Sequence, residues 1–286
     1  MTDSLPERPL AVSLGDLAGI GPEIIAGAWL QRKAQNLPPF LVVGGATALN
    51  QMATQTGIDL PLRMISTIDE ASSVFEYALP VLDVDDAPWT PGKPDSKSAN
   101  IALSSLGDAT ELALEGRVSA LVTAPVSKAS LMQIGFNHPG QTEFLASACD
   151  ISDGDAVMML AGPSLRAIPV TVHIPFAQIT RRLTSAMIER RARIAAMGLI
   201  RDFGISTPHL AFAGLNPHAG ESGKMGNEES RIIRPAMEAL EVEGIHVSGP
   251  YPPDALFTQH IRSGYDAAIC MYHDQALIPV KALDFD

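Results

Sequence analysis

The sequence predicts an α/β protein built on a mostly parallel β-sheet with helices covering it. Three observations predict this class. Short apolar runs rich in Val, Ile, Leu and Ala recur along the chain; these runs show little polar alternation; and helix-like stretches lie between them. Strands buried on both faces read as continuous apolar runs, whereas strands with one wet face alternate.

The elements follow in order. Residues 10–14 (LAVSL) open the series of strand candidates. A helix over 22–35 follows, with Pro22 in the first turn and Glu23 beside it, a favourable start because proline needs no partner there. Strands over 40–43 and 80–84 come next. Residues 85–97 (DDAPWTPGKPDSK) hold three prolines and read as a long surface loop. A helix over 98–115, a strand over 120–123 and a helix over 142–149 continue the alternation. Strands over 156–161 and 167–173, a helix over 179–203, a strand over 210–213, a helix over 227–243 and a strand over 267–272 complete it. A second irregular stretch covers 216–227, and there is no internal repeat.

Composition bounds the function. The 286 residues are 46% hydrophobic, enough for one large domain or two closely joined ones. A net charge of −12 argues against nucleic acid and anionic membranes as partners. The start, MTDSLPERPL, has no apolar signal-peptide core, and no apolar run reaches the ~20 residues that span a bilayer. Cys149 and Cys270 have no CxxC spacing and read as free thiols. The expectation is a cytoplasmic chain.

In open α/β sheets, ligands bind beyond the carboxyl ends of the strands. Three of the seven histidines fall at such ends: His173, His218 in GLNPHAGESG, and His273. His138, His209, His246 and His260 do not. Three convergent imidazoles can bind a divalent metal and leave coordination positions open; the plain alternative for each is an ordinary polar residue at a strand end. The strand over 120–123 leads into TAPVSK, with Ser127 and Lys128. The turn GDLAGIGPE has glycines between strand and helix, but its order is GxxxGxG. No acidic residue follows the second strand, which ends in Gly44-Gly45, so this is not a Rossmann fingerprint. Lys281, beyond His273, could hold a carboxylate or phosphate, or simply be solvated. Asp254 reads most simply as a helix N-cap, and the arginines of 179–203 as a solvated face.

At these motifs a family resemblance emerges. NPHAGESGKMGNEE (216–229) resembles the NPHAGE-x-G-x-x-G-x-E-E signature of the 4-hydroxythreonine-4-phosphate dehydrogenase family. MYHDQALIPVK resembles its MYHDQ-x-LIP-x-K, GDLAGIGPEI its GEPAGIGPE, TAPVSK its TAP-x-x-K, and GPYPPDALF its GP-x-P-x-D-x-x-F. The matches run in order between residues 10 and 281.

The resemblance implies an isocitrate/isopropylmalate dehydrogenase-like fold of two α/β/α domains with a cleft between them. The domains would be 1–130 and 131–286, the second carrying the metal site and the dimer interface. It implies metal-dependent oxidation of 4-hydroxythreonine 4-phosphate by NAD or NADP, giving a 3-oxo acid that decarboxylates, in pyridoxal 5′-phosphate biosynthesis. The divalent metal (Zn, Mg, Co or Mn) would be held by His173 and His218 of one subunit and His273 of the other, in a homodimer with a shared active site. Gln141, Thr142 and Lys281 would contact substrate, and Lys281, Asp254 and Asp274 would serve catalysis. The family's GHTE reads Gly140-Gln141-Thr142-Glu143 here. Glutamine hydrogen-bonds but cannot become cationic near neutral pH. Relatives acting on threonate or erythronate 4-phosphate, or on cyclic dihydrodiols, are therefore alternatives. Family members run about 40 residues further than Asp286, a stretch of roughly a third of a domain. That stretch would bring an asparagine and an arginine to the substrate and part of the cofactor site. A non-catalytic binding protein without it is the third alternative.

Overall fold

The structure is a computed structural model that describes residues 8–152 and 154–284. The chain divides into two compact units, Met1–Cys149 and Asp150–Asp286. The helix Gln141–Ala148 thus lies in the first unit, past the 130/131 boundary that the resemblance implies.

Unit 1 holds five strands: β1 (Leu10–Ser13), β2 (Phe40–Val43), β3 (Leu62–Ile65), β4 (Leu79–Leu82) and β5 (Leu121–Thr123). Their order is β3-β4-β2-β1-β5, with every pairing parallel. Successive strand residues face opposite sides, and both sides are covered. Val12, Val42, Leu79 and Val81 pack with Ile25, Trp29, Leu49 and Met52 from the helices Gly21–Gln31 and Ala46–Thr56. Ala11, Leu41, Val43 and Ile65 pack on the other side with Ala109 and Leu112 of the helix Ser96–Leu114. Double coverage is why the strands lack alternation.

Unit 2 holds β6 (Leu160–Ala161), β7 (Arg166–Thr171), β8 (His209–Ala213), β9 (His246–Tyr251) and β10 (Ala267–Tyr272). The order is β6-β7-β10-β8-β9, parallel except for the antiparallel edge strand β6. One face carries Ile168, Val170, Phe212 and Ile269 against the helices Ser185–Phe203 and Arg234–Val242. The other is lined by Ala167, Ala211, Ala213, Ala268 and Cys270. These small side chains let the helix His273–Asp284 approach closely through Ala276 and Val280. The Cys270 thiol is fully buried, which pushes its pKa up.

Several expectations need correction. The strand expected over 156–161 is regular only at Leu160–Ala161. The helix expected over 179–203 breaks at Leu183-Thr184, because the Thr184 hydroxyl accepts from Met187 N and starts a new helix. The strand expected to include His173 ends at Thr171. The glycines of GDLAGIGPE have a packing reason. A Cβ on Gly15 would lie 2.7 Å from Pro125 O, and one on Gly21 would lie 2.6 Å from Leu14 O.

Candidate active site

The order of the second sheet puts β7, β10 and β8 side by side. Their parallel directions bring their carboxyl ends to one edge, and a histidine follows each. His173 and His273 face each other with ring centroids 6.1 Å apart. Beneath them the buried Thr171 hydroxyl donates to Met271 O at 2.8 Å, joining the ends of β7 and β10. The two rings line a pocket of about 200 Å³ with Ile174, Phe176, Tyr272 and Asp274. His218 lines an adjacent pocket of about 390 Å³ with Leu215, Pro217, Pro253 and Asp254. Phe176 and Tyr272, in edge-to-face contact at 5.5 Å, line both pockets.

Two of the three histidines sit on strained backbone. His173 and His218 each have φ 54°. His218 also opens a run of five left-handed residues through Ala219, Gly220, Glu221 and Ser222. A non-glycine residue there costs roughly 1–2 kcal/mol, so the run persists only where its surroundings hold it. Glu229, 4% exposed, anchors the residues that lead into it. Its carboxyl group accepts from Leu215 N at 2.9 Å, Asn216 N at 2.8 Å and Asn216 Nδ2 at 3.0 Å. The Asn216 amide also donates to Glu228, which keeps that carboxylate below its usual range. Gly220 is required by this arrangement, since a Cβ there would lie 2.6 Å from Glu229 Oε2.

Gln275, also buried, donates from Nε2 to Gly214 O at 2.8 Å and accepts Met271 N at 2.6 Å. It ties the end of β10 to the root of the His218 turn. The sequence reading missed both Glu229 and Gln275. The signal was the polar pair closing a glycine-rich loop, and a glutamine two residues after a strand-end histidine.

The remaining expected residues are placed as follows. Asp254 does not cap its helix: Pro252 holds that position for Pro253–Leu256, because the helix begins one residue before Asp254. Asp254 lines the His218 pocket instead. Asp274 Oδ1 accepts from His273 Nδ1 at 2.8 Å. Lys281 is exposed in the last turn of the helix that starts at His273, about 12 Å along its axis at 1.5 Å per residue. Gln141 and Thr142 belong to unit 1, at the start of the helix Gln141–Ala148. There Gln141 Nε2 donates to Ala124 O at 3.3 Å.

The donor chemistry fits a divalent cation. A carboxylate on His273 Nδ1 leaves Nε2 as the free lone pair, the usual arrangement behind a metal-binding imidazole. Among the described residues, no group of three His, Cys, Asp or Glu side chains in one chain gathers to hold a metal.

Comparison with known proteins decides the family. The model of the pyridoxal phosphate biosynthetic protein PdxA family matches residues 36–286. The chain belongs to the PdxA family. A 4-hydroxythreonine-4-phosphate dehydrogenase of Erythrobacter litoralis is 57% identical over 98% of this chain and 84% of its own length. One from Zymomonas mobilis is 48% identical over 98% and 82%. Among solved structures, the 4-hydroxythreonine-4-phosphate dehydrogenase of Klebsiella pneumoniae superposes with a TM-score of 0.85 at 36% identity, covering 98% of this chain and 86% of that one. A terephthalate 1,2-cis-dihydrodiol dehydrogenase of Burkholderia xenovorans superposes at 0.66 and 30% identity, over 97% and 83%. The isocitrate/isopropylmalate dehydrogenase-like fold expected from the motifs is that of the PdxA relatives. No described helix is long and apolar enough to cross a membrane.

Proposed function

We propose that this chain is a metal-dependent 4-hydroxythreonine-4-phosphate dehydrogenase, using NAD or NADP in pyridoxal 5′-phosphate biosynthesis. The observation that carries the reading is that His173, His218 and His273 each follow a strand whose carboxyl end lies along one edge of the same sheet, in a chain 57% identical to a relative bearing that name. His173 and His218 of one copy and His273 of a second copy are the metal ligands in this reading. A divalent cation there supplies Lewis acidity toward the substrate hydroxyl and, later, toward the ketone oxygen.

The chain's own groups do the rest. Lys281 holds an anionic end of the substrate. Gln141 and Thr142 give it hydrogen bonds. Asp254 would accept the proton of the substrate hydroxyl, and a bound nicotinamide would supply the acceptor for the hydride on the carbon that carries that hydroxyl. Asp274 keeps His273 in one tautomer and orientation. The 3-oxo acid so formed loses CO2, the ketone taking up the electron pair.

His218→Ala tests this. It should abolish both zinc binding and NADH or NADPH formation from 4-hydroxythreonine 4-phosphate. Full turnover by the metal-stripped variant would end the proposal.

One observation favours a second reading. Gln141, held at Ala124 O, gives a neutral contact where the family motif has a histidine. A phosphorylated sugar acid or a cyclic dihydrodiol would suit it, as the likeness to a dihydrodiol dehydrogenase allows. Side-by-side kcat/KM values for the three substrates separate these readings.

A further inference from the structure

We infer that Glu229 and Gln275 are positioning residues that set the metal geometry from behind, without touching metal or substrate. The inference rests on the proposed metal site and adds to it a brace built from two buried polar side chains.

Both are almost wholly buried, where a polar group is costly unless fully paired. Both are paired, and always to backbone or side-chain groups at the roots of the histidine turns. The Glu229 carboxyl group lies against Gly220 of the left-handed run and takes the amides of Leu215 and Asn216, the residues just before Pro217-His218. Those amides would otherwise be orphaned by a turn that makes no regular ladder. Gln275 links Gly214, the first residue beyond β8, to Met271, two residues before His273. One side chain thus spans the carboxyl ends of two neighbouring strands. Without the brace the lead-in to the left-handed run loses its anchors, and His218 would sample other backbone conformations. A displaced ligand binds a metal less well; groups bonded directly to a ligand typically change affinity 10- to 100-fold, and a brace one residue further back is expected at the lower end of that range.

The test uses cobalt(II), whose visible absorption reports coordination geometry. Wild type, Glu229→Gln and Gln275→Met are titrated with cobalt, and the melting temperature of each metal-free protein is recorded. Glu229→Gln keeps the volume but replaces one acceptor by a donor that faces Asn216 Nδ2. Gln275→Met keeps the volume and removes both hydrogen bonds. The expected result is roughly tenfold or weaker cobalt affinity with an altered spectrum in each folded variant, beyond any change tracked by melting temperature. If Glu229→Gln does not fold, Gln275→Met carries the measurement. Wild-type affinity and spectrum in the folded variants, whatever their melting temperatures, would overturn the brace and leave the metal site standing. Absence of cobalt binding by wild type would instead overturn the metal site, and the brace with it.

Discussion

Glycine 220 concentrates the residue-scale logic of the site. It lies at φ 77°, within 2.6 Å (from its virtual Cβ) of the carboxyl group that holds the turn. Gly220→Ala should lower stability by about 1–2 kcal/mol from backbone strain alone, plus the clash with Glu229. Gly57 is the control: its φ of 70° carries the same strain, but nothing lies within 4 Å of a Cβ there. Urea unfolding of both variants isolates the contact. Equal losses would mean Glu229 yields freely. The place of the three histidines after strand ends was legible in the sequence because strand ends can be read from apolar runs. Asp254 was misread as a cap because its flanks suit capping equally well. Glu229 and Gln275 were harder to read: a carboxyl or amide accepting backbone amides at an irregular turn leaves no periodic trace, only the polar pair after the glycines and the glutamine after the strand-end histidine.

At the scale of elements, the helix Ser96–Leu114 shows how local chemistry sets a boundary. Asp95 caps it, accepting from Ser98 N at 2.7 Å while the Ser98 hydroxyl meets the Asp95 backbone. The Ser98 backbone amide, above all, holds the Asp95 carboxyl below the usual carboxylate range. A lowered folded pKa contributes stability that is fully present above the unfolded value, about 4, and is lost as pH falls through the folded value. Asp95→Asn, which retains a capping oxygen, should therefore show a shallower fall in melting temperature between pH 5 and pH 2 than wild type. Parallel curves would contradict the cap. Most other boundaries came within a few residues of the sequence reading, because doubly buried strands announce themselves. The misses have physical causes. Strand β3 runs along the sheet edge with Arg63 and Met64 exposed, so it lacks the apolar run of its neighbours. Strand β9, HVSGPY, carries a glycine and a proline that read as turn. The helix His273–Asp284 contains Pro279, which argues against a helix in sequence.

At the scale of the whole molecule, the proposed site takes its residues from two copies of the chain. An isologous dimer would hold two such sites, each taking His218 from one copy and His273 from the other. Mixing settles this. His218→Ala and His273→Ala proteins, each inactive alone, are unfolded together, refolded with zinc and assayed for NADH formation. In a hybrid dimer both mutations fall in one site and the second site is intact. Random pairing should then restore about a quarter of wild-type activity. If the mixture stays as inactive as its parents while refolded wild type recovers, the three imidazoles do not serve one cation across two chains.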